Sequence, residues 1–239
     1  MDFATMHDGQ GTALDFARQR SGMIEQQIRP NAVTDRSLLA AMGEVPREMF
    51  VSPSRRLLAY SDEALEVLPA IDGAPARFLL APMVLAKLLQ LAAVEATDHV
   101  LDIGCATGYS TALLAALSRG VIGLESEPTL AAIAADNLAA LGIGDAEIVV
   151  ADLAAGYSEA APYDVIFLNG SVPDEPTRLT AQLKEGGRLV AVVATVRAGG
   201  RQGKAYLFVK VDGEMSGVPH FDAGAPPLPG FALPPRFVF

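Results

Sequence analysis

The sequence predicts an α/β fold: a doubly wound, mostly parallel sheet with a helical segment before it and an antiparallel hairpin after it. Three observations point there. Strand-like and helix-like stretches alternate regularly from residue 99 onward, the pattern of right-handed crossovers between parallel strands. The strand-like stretches HVLDIG, GVIGLE and YDVIFLNG are nearly continuous in apolar residues, as expected where both faces of a sheet are covered. The first of them runs into a carboxylate and two glycines, in VLDIGCATGYST over residues 100–111. That junction of strand and helix is where open α/β sheets bind ligands.

The elements follow in order. Residues 1 to about 12 include Gly9 and Gly11 and read as loose. Residues 13–28 place apolar side chains at helical spacing, and Pro30 stops the pattern. VTDRSLLAAMGEVP reads as a short helix capped by Thr34 or Asp35 and ended before Pro46. Residues 47–82 carry mixed signals and read largely as irregular structure. PMVLAKLLQLAAV has Pro82 at a first helical position and an apolar stripe. Helices are predicted for YSTALLAALS, for EPTLAAIAADNLAALG with Pro128 at its start and Gly142 at its end, and for EPTRLTAQLKEGG. AEIVVAD is a strand followed by a loop. RLVAVVAT, RAGGRQG and KAYLFVKV read as a β-hairpin. The tail AGAPPLPGFALPPRFVF has the composition of an SH3-type ligand, but each phenylalanine has apolar neighbours, which favours packing on the domain surface. The expected organisation is an N-terminal helical or irregular cap over residues 1–81, a core over 82–212 and a tail over 213–239.

Composition narrows the function classes. Hydrophobic residues make up 51% of the 239 residues and charged residues 19%, enough for a large core and against global disorder. The formal net charge of −10, with no basic run, argues against nucleic acid and anionic membranes as partners. Cys105 is the single cysteine, which excludes an intrachain disulfide and suits a reducing, cytoplasmic setting. The start carries Asp2 and Asp8 and no apolar core of a signal peptide. No apolar run is long enough to span a bilayer. His7, His99 and His220 are scattered, so no metal site is expected. Met6, Met23, Met42, Met49 and Met83 read as core fillers.

The glycine junction carries the chemistry. Gly104 and Gly108 permit a sharp turn and close approach of a ligand to the backbone. Glu125 ends the next strand, about twenty residues on, at the spacing of a carboxylate that reaches ribose hydroxyls. Asp152 ends the third strand. Asp102, Glu125 and Asp152 are therefore expected at one sheet edge, although each also suits a turn or helix cap. Dinucleotide sites use G-x-G-x-x-G, and Gly104-Cys105-Ala106-Thr107-Gly108 lacks that pattern. A ligand with a cationic end and a ribose suits the acids better, and S-adenosylmethionine has an ammonium, a sulfonium and a diol.

These motifs resemble those of class I S-adenosylmethionine-dependent methyltransferases, a Rossmann-like group. VLDIGCATGYS resembles their first motif, with Ala106 where a middle glycine is common; VIGLE their second-strand acid; VVADL their adenine-contacting segment; PYDVIFLNG their fourth strand; and LKEGGRLV their helix-to-strand turn. The flanking stretches MIEQQIRPNAVTDRSLLAAMGEVPREMFV and LAYSDEALEV resemble the protein-L-isoaspartate O-methyltransferases, extending the likeness from Met23 to about Val196. The resemblance implies an N-terminal helical cover, an unusual strand order at one end of the sheet, and methylation of the α-carboxylate of isoaspartyl residues, which begins protein repair. It implies a cofactor site of Asp102, Gly104, Cys105, Ala106, Gly108, Glu125, Ser126, Asp152, Leu153 and Asn169.

One segment departs from the family. A GQTISQP-like stretch is usual before the helix that starts here at Pro82, and this chain has ARFLLAP, with Phe78, Leu79 and Leu80 in place of Thr, Ile and Ser. The hydroxyls that would meet an acceptor carboxylate are gone. Alternatives to isoaspartyl methylation are therefore a methyltransferase on another acceptor and a non-catalytic S-adenosylmethionine-binding protein. A carboxylate acceptor is ionised near neutral pH, so no general base is required. No catalytic residue is assigned; Asn169 and Ser171, read as following the fourth strand, and the backbone of Leu80 are the candidates. Cys105 reads as a small turn residue, and a protein or peptide carboxylate is the expected partner.

Overall fold

The computed structural model describes residues 10–71, 75–194 and 202–231. The expected loose start, the hairpin turn at 195–201 and the end of the tail lie largely outside the described residues. The centre is a seven-stranded sheet of β3 (His99–Ile103), β4 (Gly120–Glu125), β5 (Ala146–Val150), β6 (Tyr163–Val172), β7 (Leu183–Ala194), β8 (Gln202–Val211) and β9 (Glu214–Gly224), in the order β5-β4-β3-β6-β7-β8-β9. The five strands from β5 to β7 are parallel; β8 and β9 return antiparallel. A separate two-stranded hairpin, β1 (Leu65–Leu68) and β2 (Arg77–Leu79), lies in the stretch expected to be irregular.

The helices follow the apolar periodicity. α1 (Gln10–Met23) continues into a π-helical turn, Ile24–Ile28. α2 (Arg36–Glu44) is capped by Asp35, whose side chain accepts from the Leu38 amide at 3.0 Å. α3 (Pro82–Ala92), α4 (Tyr109–Leu117) and α5 (Pro128–Ala140) begin where proline or the glycine turn predicts.

Three expectations are corrected. EPTRLTAQLKEGG is not an α-helix: a short 3-10 turn, Thr177–Gln182, leads straight into β7. Gly186, at φ +75°, and Gly187 lie in a bulge between Leu183 and Arg188, where β7 shifts register against β6. The sheet runs past residue 212, because β9 pairs with β8 along ten residue partners. Asn169 and Ser171 lie within β6 rather than after it.

The two faces of the sheet are covered differently. Val100, Val121, Val165, Phe167, Val190 and Val192 pack with the N-terminal helices, α3 and α4. Leu101, Ile103, Ile122, Leu124, Ile166, Leu168 and Leu189 form a second cluster with Leu153, Leu179, Phe208 and Leu228. Among the described residues, that second cluster holds no α-helical side chain. Turns and the C-terminal segment cover it instead. No helix among the described residues is long and apolar enough to cross a membrane.

Arg47 joins the N-terminal cover to the core. It is fully buried. Its Nε donates to Ala59 O at 2.8 Å and its Nη2 to Leu80 O at 2.7 Å, and the guanidinium lies 4.7 Å from the Tyr109 ring centroid, a cation–π contact. Arg47→Ala would orphan two carbonyls and open a void, an expected loss of about 3–5 kcal/mol. Urea unfolding should show it as a lower midpoint at unchanged slope. Arg47→Lys, with no fork to reach both carbonyls, should recover only part.

Candidate functional site

Parallel pairing brings the acidic strand ends together. Asp102 lies beside Gly123 of β4 and Phe167 of β6, and Glu125 beside Val150 of β5. Asp102 and Glu125 are both fully buried. Asp152, two residues beyond β5, is exposed.

Each acid has its donors. Asp102 accepts from Ser110 Oγ and Thr111 Oγ1, both at 2.7 Å, in the first turn of α4, and from Asn169 Nδ2. Burial pushes its pKa up to about 6, against the pull of Thr111, Ser110 and Asn169, and the charge of Glu125 adds to the rise. Glu125 accepts from the backbone N–H groups of Ala106 (2.9 Å), Ser126 (2.7 Å) and Glu127 (3.1 Å). Both its oxygens also take a fork from Arg77: Nη1 to Oε1 at 2.5 Å and Nη2 to Oε2 at 2.9 Å. Arg77 is itself buried. Asp152 Oδ1 accepts from the Ala154 and Ala155 amides at 2.8 and 3.2 Å, closing its own turn.

The glycine turn has two sides. Gly104 (φ +76°), Ala106 (φ +53°) and Gly108 (φ +94°) are all left-handed, which favours glycine at two of these positions. A Cβ on Gly104 would lie 2.6 Å from Leu228 Cδ2, 3.2 Å from Arg77 Nη2 and 3.6 Å from Leu153 Cδ1. Gly104 therefore faces the site. Gly108 faces away: a Cβ there would meet Ala134 of α5 at 3.2 Å. Cys105 is buried, and burial pushes its thiol well above the ordinary range, in keeping with a packed turn residue.

Leu80, Gly104, Cys105, Ala106, Tyr109, Ser110 and Asn169 surround a cavity of about 10 Å³ that Arg47, Phe78, Leu79 and Leu85 also line, room for about one water. Leu79 and Leu80 are buried, so the departing segment forms an apolar wall. Arg47 holds the Leu80 carbonyl. Ser126 sits exposed at the rim with its amide on Glu125. Ser171 is buried, and its backbone pairs with the C-terminal segment: its N–H donates to Pro226 O at 2.8 Å, and its carbonyl accepts from the Leu228 N–H at 2.9 Å.

Of the expected residues, the structure gathers Asp102, Gly104, Cys105, Ala106, Glu125, Leu153 and Asn169, with Leu80 across the cavity. Sequence reasoning passed over Arg77, Leu228 and Arg47. Arg77 carried a signal: a lone cation in an apolar segment reaches a buried place only with a carboxylate to meet it. Leu228, between two prolines, carried none.

The chain matches the family model described as Protein-L-isoaspartate(D-aspartate) O-methyltransferase over residues 18–218. It is 39% identical to a protein-L-isoaspartate O-methyltransferase of Methanoculleus marisnigri, over 74% of this chain and 77% of that protein. To the one from Koribacter versatilis it is 37% identical, over 75% of this chain and 78% of that protein. A solved protein-L-isoaspartate O-methyltransferase superposes with TM-score 0.76 at 28% identity, over 89% of this chain and 67% of that one. A Plasmodium falciparum protein described as a member of the same group, in complex with S-adenosyl-L-homocysteine, shares the fold at TM-score 0.71 and 18% identity, over 90% of this chain and 98% of that one. By this match of model, sequence and fold, the chain belongs to the protein-L-isoaspartate O-methyltransferase family.

Proposed function

We propose that this chain transfers a methyl group from S-adenosylmethionine to the free carboxylate of an isoaspartyl residue in a protein or peptide. The observation that carries the reading is the pair of buried carboxylates, Asp102 and Glu125, flanking the Gly104 turn in a chain that matches the family over residues 18–218. The match favours this activity over another acceptor or a binding-only role. A cytoplasmic setting suits the free Cys105.

The donor set suits the cofactor. Asp102 offers a carboxylate to an ammonium, and Glu125 two oxygens to a diol. Gly104 leaves the wall between them without a Cβ. Cys105, Ala106, Ser126, Asp152, Leu153 and Asn169 complete the proposed contacts, and Gly108 supports the turn from behind. Bound S-adenosylmethionine supplies an electrophilic methyl group on a sulfonium. The chain's own residues do the rest. The acceptor is already anionic near neutral pH, so no side chain must remove a proton. Alignment and exclusion of water are the tasks left. Leu79 and Leu80 provide a dry wall, and Arg47 fixes that wall by holding the Leu80 carbonyl at 2.7 Å.

Labelled methyl transfer to an isoaspartyl peptide and its aspartyl twin tests the activity: transfer to the first alone is expected, and transfer to neither overturns the proposal. Leu80→Ser should raise turnover, because a hydroxyl would return one hydrogen bond to the acceptor carboxylate. Such a bond to a charged group is worth about 1.5–3 kcal/mol, roughly tenfold to a hundredfold in rate. Steady-state kinetics on the same peptide measures it, and an unchanged rate would show that the backbone already serves the acceptor.

Cofactor affinity should depend on pH through Asp102. The ammonium favours the ionised carboxylate, so binding draws the Asp102 pKa below its free-state value of about 6. Affinity is then full above that value and falls, by up to about tenfold per pH unit, as pH drops below it. Calorimetry from about pH 8 to about pH 5 reads this, and Asp102→Asn should give a weaker, flat profile.

A further inference from the structure

We infer that the C-terminal segment, residues 225–231, is a built-in competitor of the cofactor, closing the S-adenosylmethionine crevice together with Arg77. The inference rests on the cofactor site proposed above and concerns its regulation.

The segment touches three corners of that site. It pairs with β6 through a parallel bridge, Ser171 to Pro227, and through the Ser171 N–H to Pro226 O and Leu228 N–H to Ser171 O bonds. Leu228, 7% exposed, lies against Gly104, and a Cβ on Gly170, next to Asn169, would meet Leu228 Cγ and Pro226 O, each at 2.7 Å. A Cβ on Gly230 would lie 3.4 Å from Asp152 Oδ1. One short strap thus spans the first-strand turn, the β6 wall and the end of β5. Arg77 completes the closure, because its two nitrogens use the same Glu125 oxygens that a diol needs.

The chemistry of the strap suits a reversible occupant. Pro226, Pro227 and Pro229 have no N–H, so Leu228 carries the one donor in the stretch 226–229, and that donor is used on Ser171. The prolines also restrict the segment before it docks, which lowers the entropy lost on docking. Leu228 is its buried anchor, flanked on both sides by partly exposed or exposed residues. A ligand that satisfies Glu125 and fills the space beside Gly104 removes both holds at once.

The competing explanation is that Leu228 merely covers the second face of the sheet. The two differ in what the cofactor does to the segment. S-adenosyl-L-homocysteine is titrated calorimetrically into the full chain, into Leu228→Ala and into Leu228→Met. Amide hydrogen exchange is followed at Ser171 and Leu228 in the wild type with and without saturating ligand. Competition predicts that Leu228→Ala binds about tenfold tighter, corresponding to about 1.4 kcal/mol, that Leu228→Met stays near wild type, and that ligand speeds exchange at both amides. Equal affinities, with exchange unchanged or slowed by ligand, overturn the inference and leave the proposed activity standing. No binding by any of the three overturns the cofactor reading and the competition with it. Should Leu228→Ala fail to fold, the wild-type exchange experiment decides alone.

Discussion

Two carboxylates lie fully buried at the carboxyl ends of neighbouring parallel strands, and most of the surrounding structure answers that constraint. A charge removed from water without partners costs more than a domain of this size has to spare. Asp102 is answered by two hydroxyls in the first turn of α4 and by an amide from β6. That arrangement requires α4 to begin close beside β3, and the left-handed turn through Gly104 and Gly108 makes this possible. Glu125 is answered by three amides of the turns around it and by Arg77. Arg77 ties the β1–β2 hairpin to the end of β4. Three residues later the Leu80 carbonyl is held by Arg47. The segment from Arg77 to Leu80 is therefore pinned at both ends, once by charge and once by a buried fork.

Much of this was legible where a single local signal decides the structure. Continuous apolar strands, Pro82 and Pro128 at helix starts, and the acid-glycine junction at 102–108 each state their own conformation. The alternation placed Asp102 and Glu125 at one edge without any knowledge of their partners. What stayed hidden depends on distant pairing. The β1–β2 hairpin has only short strands and a mixed pattern, so periodicity cannot mark it. In EPTRLTAQLKEGG the apolar positions do suit a helix, but the two glycines form a bulge in β7, and the strand claims the segment from Leu183. β9, with Pro219 and Gly217 in it and mostly exposed side chains, has no apolar stripe of its own and is a strand because β8 offers it an edge.

The site shows the same division. The residues that define the left-handed turn after β3 are local and were readable. The residues packed against that turn, Arg77 and Leu228, come from segments 27 positions before and 124 positions after Gly104. Nothing at 225–231 indicates a return to β6, because prolines there describe only an extended chain. The return is intelligible from the fold. Among the described residues, the second face of the sheet has no α-helical side chain in its core, and Leu101, Ile103 and Leu168 need apolar cover. Leu228 supplies part of it. The strap is thus cover for the sheet and occupant of the crevice in one residue.

That double role has an energetic logic. A crevice built around buried carboxylates cannot stand open and dry without its ligand, since Glu125 would lose partners that burial makes necessary. Opening it to water would wet the apolar surface beside Gly104. Arg77 and Leu228 solve both problems with the chain's own groups: guanidinium donors take the oxygens that hydroxyl donors would take, and an aliphatic side chain covers the surface that the ligand would cover. The exchange replaces donor for donor and apolar area for apolar area, but it trades the charge-assisted fork of a guanidinium for neutral hydroxyls. The three backbone amides on Glu125 serve it in both states. Such an exchange lets a site keep deeply buried acids and still admit a charged ligand, because no step leaves a carboxylate both buried and unpaired.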